Sequence, residues 1–263
     1  MRNPRTWLGL GTLALSLVAC GGATATPGSG GTGGTAPGGG TNATPQSYVV
    51  RGQAVDATGK PLSDVKITLD NTIYYNAAIT GRTAADGRYD LRVQQGSWRA
   101  YAQITRAYHG RNYTMYLHPD NSDSFAGIDG AVRNFTWKLT GAQAEPLTGT
   151  YGATVVGFWG DHNSDYSTVV LYFEPNGPLI DGSTTEPFAA RLGSDGARVN
   201  EIADIPLGRY RIAGFHVVQG QDPVPLLIRK RNTGEYAQTL DGLFDPEHPT
   251  CGKLCLQVEV VFP

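Results

Sequence analysis

Cysteine, methionine and charge are all scarce in this chain. Of 263 residues, 3 are cysteine and 2 are methionine. So few cysteines rule out a miniprotein framed by disulfides. Charged residues make up 17% against an average of about 25%. The net charge is −2, which excludes a nucleic-acid protein relying on a strong basic field. No convincing amphipathic helix of three turns can be found, so a helical bundle is excluded as well. What the chain does have is glycine, at 35, and proline, at 16, with strand-forming residues in short runs between them.

The first 19 residues read as an export signal. Arg2 and Arg5 form a positive start, and Trp7 to Ala19 is apolar and uncharged. That core is too short for the roughly 20 residues of a membrane span, but it suits a signal peptide. It ends in Leu17-Val18-Ala19-Cys20, followed by Gly21-Gly22. This ending resembles the lipobox of bacterial lipoproteins. The resemblance implies cleavage before Cys20, acylation of Cys20 and attachment to membrane lipid through it. The implied location is the cell membrane or outer envelope, facing the periplasm or the exterior. Residues 20–47 hold this cysteine and a Gly/Thr/Pro-rich stretch. Its first part, from 21 on, has no charge and no bulky apolar side chain, the composition of a disordered tether.

From Tyr48 onward the pattern has period two. Val65-Lys66-Ile67-Thr68-Leu69, Tyr89-Asp90-Leu91-Arg92-Val93 and Trp98-Arg99-Ala100-Tyr101-Ala102 alternate apolar and polar. This is the mark of half-buried strands. Asp86-Gly87 between strand formers is a hairpin signal. Phe135 to Leu139 reads as a closing strand. Residues 108–130, rich in Tyr, His, Asn and Asp, read as an insertion. Further strands are expected at 154–158, 167–173, 209–213, 225–229 and 256–262. The fold class is therefore all-β, with two consecutive β-sandwiches at 48–145 and 146–263. Gly208-Arg209-Tyr210 echoes Gly87-Arg88-Tyr89, which fits either a tandem repeat or chance.

The run Val50-x-Gly52-x-Ala54-Val55-Asp56-x-x-Gly59-x-Pro61-Leu62-x-x-Val65-x-Ile67 resembles the opening of a carboxypeptidase regulatory-like domain. Thr83-x-x-Asp86-Gly87-x-Tyr89-x-Leu91-x-Val93-x-x-Gly96 matches the second signature of the same family. The resemblance implies a transthyretin-like sandwich over the first half. It also implies an accessory module without the catalytic zinc. Leu62, Val65, Ile67, Tyr89, Leu91 and Val93 would fill the space between its sheets.

Catalytic constellations are missing from the sequence. His109, His118, His162, His216 and His248 fall in neither His-x-x-Glu nor His-Glu-x-x-His, and there is no Gly-x-Ser-x-Gly. No cofactor is implied, and the chain is expected not to be an enzyme. Asp161, Asn163 and Asp165 have the spacing of the first half of a calcium loop. Tyr166 and Tyr172, however, stand where that loop needs glycine and glutamate. Those residues form either a solvated hairpin loop or a loose cation site. With Cys20 acylated, Cys251 and Cys255 are left as a pair. In an exported protein they read as a disulfide, with free thiols or a metal pair as alternatives. Trp98, Tyr101, Tyr108, Tyr113, Trp159 and Tyr166 are candidate ligand-binding aromatics, unless they pack in the core. The expected function is a non-catalytic structural or binding module of the cell envelope, with an envelope protein or polysaccharide as partner. A carbohydrate-binding accessory module is the second reading, and an enzyme of unrecognised type the third.

Overall fold

A computed structural model describes residues 44–161, 165–194 and 196–263. The signal peptide 1–19, Cys20, the tether up to residue 43 and Asn163 lie outside the described residues.

The first half contains ten strands. They are β1 (Val49–Val55), β2 (Lys66–Asn71), β3 (Ala78–Arg82), β4 (Arg88–Arg92), β5 (Ser97–Tyr108), β6 (Arg111–Tyr116), β7 (His118–Pro119), β8 (Phe125–Ala126), β9 (Ala131–Val132) and β10 (Phe135–Thr136). One sheet runs β4-β1-β10-β7, with β9 also on β1. The other runs β3-β2-β5-β6, with β8 on β5. The alternation explains what lies between them. Ile67, Leu69, Ala100, Ala102 and Ile104 are buried from one sheet, and Val50, Ala54, Tyr89 and Phe135 from the other. Of the six expected core residues, Leu62, Val65, Ile67, Tyr89 and Val93 are buried, and Leu91 packs against them half-buried.

The second half continues with β11 (Ala153–Trp159), β12 (Val169–Pro175), β13 (Phe188–Arg191), β14 (Glu201–Ile205), β15 (Arg209–His216), β16 (Val224–Lys230), β17 (Thr233–Ala237), β18 (Leu240–Leu243), β19 (Asp245–His248) and β20 (Gly252–Val261). Seven of them form one hydrogen-bonded path, β13-β12-β15-β16-β20-β11-β14, with β17 on β16, β18 on β15 and β19 on β20. β16 makes the corner. Its first residues pair with β15 and its last with β20, while Leu226 and Ile228 point into the core. Two layers thus close over Val155, Leu171, Phe173, Tyr210, Ile212 and Val258.

Both halves use the same pairing scheme. In the first, β1 pairs antiparallel with β4, β2 with β3 and β5, and β5 with β6, and β1 runs parallel to β10. In the second, β11 pairs antiparallel with β14, β12 with β13 and β15, and β15 with β16, and β11 runs parallel to β20. The two halves are a topological repeat. The register differs from the sequence echo, because β15 corresponds to β5 and not to β4. The shared Gly-Arg-Tyr phrase therefore sits on non-equivalent strands.

Two local expectations are corrected. Asp86-Gly87 does not close a hairpin, since β3 and β4 belong to different sheets. The turn docks on β1 instead: Ala54 N–H donates to Gly87 O at 2.9 Å, and a Cβ on Gly87 would meet Ala54 O at 2.6 Å. Residues 108–130 are not a plain insertion either. They carry β6, joined to β5 through His109 and Gly110, both at positive φ. Such a two-residue turn matches the twist of the strands it joins.

Candidate functional site

The candidate aromatics divide by strand parity. On β5, Trp98 points inward and is 5% exposed, and its Nε1 donates to Gln94 O at 3.0 Å. Tyr101 is on the outer face, half-buried and edge-on to Tyr116. Tyr113 on β6 is fully buried, and its hydroxyl donates to Phe244 O at 2.7 Å. Trp159, 9% exposed, stacks on Phe262 with ring centroids 5.6 Å apart. Tyr166 is half-buried against the core in a 3-10 turn, Tyr166–Thr168. Trp98, Tyr113 and Trp159 are therefore corrected from ligand-binding candidates to packing residues. Each ring is worth more out of water than exposed, and the two hydroxyl or indole groups named find carbonyl partners.

Tyr108 has a different role. Its hydroxyl donates to Pro178 O at 2.7 Å and accepts from Arg209 N–H at 3.1 Å. Both partners belong to the second half. Burial pushes this phenol above its ordinary pKa, offset in part by Arg209. Burial likewise raises that of Tyr113, which Arg111 partly offsets. Between these tyrosines, Arg111 donates to Asp245 Oδ1 at 2.5 Å and to Phe244 O at 3.1 Å. Lys230 donates to Asp245 Oδ2 at 3.0 Å. The tip of the β5–β6 hairpin is thus a joint. One carboxylate holds two cations there, and two phenols reach across to backbone. No spacing rule in the sequence points to Arg111 and Asp245 as partners.

A second fastening lies on the connector between the halves. Asp204, at φ 62, accepts from Gly141 N–H at 2.9 and 2.8 Å and from Gly152 N–H at 3.1 Å. Tyr151 hydroxyl lies 3.1 Å from His118 Nδ1. Burial, with Lys138 nearby, holds the His118 pKa below its ordinary value.

Of the acidic candidate, Asp161, Asn163 and Asp165, Asn163 lies outside the described residues. Asp165 Oδ1 caps the 3-10 turn, accepting from Ser167 N–H at 3.0 Å and Ser167 Oγ at 2.6 Å. No group of three His, Cys, Asp or Glu among the described residues could hold a metal. Cys251 and Cys255 form a disulfide with Cα atoms 6.1 Å apart. It closes the β19–β20 turn, and Cys255 is buried where β20 begins to pair with β11. Closing so short a loop removes little entropy from the unfolded chain. Cys251→Ser with Cys255→Ala is expected to cost about 2 kcal/mol, measured as a urea midpoint shift.

Two open clefts are among those on the described surface. One, of about 380 Å³, is lined by Arg51, Asp86, Arg88, Tyr89 and Asp90. The other, of about 340 Å³, is lined by Thr114, Tyr116, Gln143, Tyr151, Glu201 and Lys253, among others. Neither lining contains a histidine, cysteine or serine.

No family model matches the chain, and no curated protein matches it. Among solved structures it is similar to the Bacillus anthracis TIE protein, at 12% identity and a TM-score of 0.25, covering 67% of this chain and 31% of that one. It is similar to a streptococcal ancillary pilin at 12% identity and 0.25, covering 74% and 62%. The chain thus spans under two thirds of the length of either. A B repeat unit of the Staphylococcus aureus collagen-binding surface protein is similar at 9% identity and 0.23, covering 83% and 100%. Likenesses this distant carry no argument about activity or partners.

Proposed function

We propose that this chain is a non-catalytic, lipid-anchored module of the cell envelope, in which the first sandwich holds the second at a distance from the anchor. The first sandwich is of the carboxypeptidase regulatory-like kind in this reading. One observation carries the proposal: the incoming chain and the joint sit at opposite ends of β5. The incoming chain is fixed at one end, where Tyr48 N–H donates to Gly127 O and Gly127 N–H to Gly96 O, next to Ser97. The other end is Tyr108, at the joint. β5 is 12 residues, roughly 36 Å long at about 3.3 Å per residue. A rigid strand of that length between tether and second half is the geometry of a spacer. Of the candidate aromatics, Tyr108 and Tyr113 are taken up in fastening the two halves together.

The test is made on the full-length protein extracted from membranes. Its intact mass should correspond to a chain starting at Cys20 and carrying acyl groups. Cys20→Ala should move the protein from the membrane to the soluble fraction, since stable anchoring takes at least two lipid signals and this variant has none. A Cys20→Ala form retained like the parent refutes the anchor.

A further inference from the structure

Large hydrophobic side chains exposed to solvent are few, and they are unevenly placed. Eight are exposed among the described residues: Tyr48, Ile73, Tyr74, Tyr75, Ile128, Val199, Val224 and Phe262. The first five lie at one end of the first sandwich. The hydrogen bonds that join Tyr48 to Gly127 and Gly127 to Gly96 extend to the β2–β3 loop: Thr72 N–H donates to Ser97 O at 2.9 Å, and Thr72 Oγ1 to Ser97 Oγ at 2.7 Å. This leading end is therefore built from residues 45–48, 72–77, 93–97 and 126–130. Together they carry one formal charge, Asp129.

The loop at its tip is held in shape. Asn71 is buried, and its Oδ1 accepts from Ile73 N–H at 3.0 Å and Tyr74 N–H at 2.9 Å. Asn76 turns the chain back at φ 57. Ile73, Tyr74 and Tyr75 are presented at 64%, 67% and 100% exposure. Ordering an apolar finger in water is costly unless something covers it.

The geometry points to a lipid bilayer surface as the occupant of this leading end, with Ile73, Tyr74 and Tyr75 seated at the headgroup level. The inference rests on the anchor proposed above. Twenty-four residues of sequence separate Cys20 from Pro45, so along the chain this end is the part of the folded body next to the anchor. Phenols favour the membrane interface, where one edge of the ring is apolar and the other wet. Two isoleucines beside three tyrosines fit that boundary better than a sugar, which takes flat stacked rings. Three side chains would not hold a free protein on lipid. Attached through Cys20, they meet the surface at the millimolar effective concentration of an intramolecular contact. The insertion then sets orientation: β5 points away from the membrane, and the second sandwich is carried outward.

The experiment uses full-length protein with its intact mass measured, reconstituted into phosphatidylethanolamine–phosphatidylglycerol vesicles. A Tyr75→Cys variant carries an environment-sensitive fluorophore on the new thiol. A Val199→Cys variant, labelled on the exposed second half, is its companion. The Tyr75 probe is expected to shift to the blue and to lose about half its emission to a nitroxide placed high on the lipid acyl chain, while the Val199 probe does neither. An unquenched Tyr75 probe on protein whose mass shows the acyl groups overturns the loop inference and leaves the anchor standing. A blue shift that grows with protein density but is not quenched identifies a second copy as the occupant, and overturns it too. A mass without acyl groups refutes the anchor, and the loop inference falls with it.

Discussion

Gly52→Ala is expected to lower the melting temperature by roughly 6–20 °C, from a loss of about 3–5 kcal/mol. Gly52 lies in the middle of β1, paired with Tyr89 of β4. On the other side of β1 the chain passes from β9 to β10 through Arg133 and Asn134. A Cβ at Gly52 would fall 1.8 Å from Arg133 O and 2.6 Å from Arg133 C. These are backbone atoms, so no rotamer change relieves the clash. Arg133 is also fixed from both sides: its N–H donates to Arg51 O at 2.9 Å, and its carbonyl accepts from Tyr89 hydroxyl at 2.8 Å. Admitting one methyl means pulling β9 and β10 off β1. For a fold of ordinary stability, roughly 5–15 kcal/mol, that is a large share. Gly59→Ala is the control. It sits at φ +87 with nothing within 4 Å of the added atom, and costs about 1 kcal/mol of backbone strain. Thermal melts followed by circular dichroism compare the two. A Gly52→Ala protein melting with the parent would refute the close approach.

Gly52 also shows where the sequence was legible. It belongs to the Val50 to Ile67 run whose glycines and alternation carry the sandwich reading, and here the pattern and the packing agree. Strands with a buried face are legible in part: the alternation at 65–69 and 98–102 overlaps Lys66–Asn71 and Ser97–Tyr108, the second of which runs six residues further. Strands such as Ala78–Arg82 and Thr233–Ala237 leave no signal in the sequence because they are edges with no buried residue, so nothing in their composition alternates with depth. β6 is hard to read from sequence because its turn is His109-Gly110, a weaker sign than Asn-Gly or Asp-Gly. The three-residue echo falls on β4 and β15, which are not equivalent, whereas the pairing scheme the halves share leaves no local trace in the sequence. The buried members of the binding candidates, Trp98, Tyr113 and Trp159, differ from expectation for a related reason. A tyrosine with polar neighbours in sequence looks exposed, but Tyr113 buries its ring and finds a carbonyl 131 residues away.

That distant contact leads to the second large expected effect. Tyr113→Ala should cost about 3–5 kcal/mol and split the melting of the protein into two transitions. The ring is fully buried on β6, with Tyr108 at a centroid distance of 6.2 Å, and its hydroxyl holds the carbonyl of Phe244. Phe244 is itself buried in the core of the second half, edge-on to Tyr210. Removing the ring leaves a cavity where a core residue of the first half hydrogen-bonds the backbone of a core residue of the second. Arg111, Asp245 and Lys230 remain, but they are partly exposed and contribute little to holding two bodies together. Tyr113→Phe separates packing from hydrogen bonding. It keeps the ring and leaves Phe244 O to Arg111 alone, at a cost of about 1 kcal/mol and with one transition retained. Calorimetry of parent, Phe and Ala forms gives the number of transitions, and limited proteolysis across residues 141–150 reports whether the connector has been released. If Tyr113→Ala melts in a single transition at the temperature of the parent, Tyr113 is not what couples the two sandwiches, and its role in the joint is refuted.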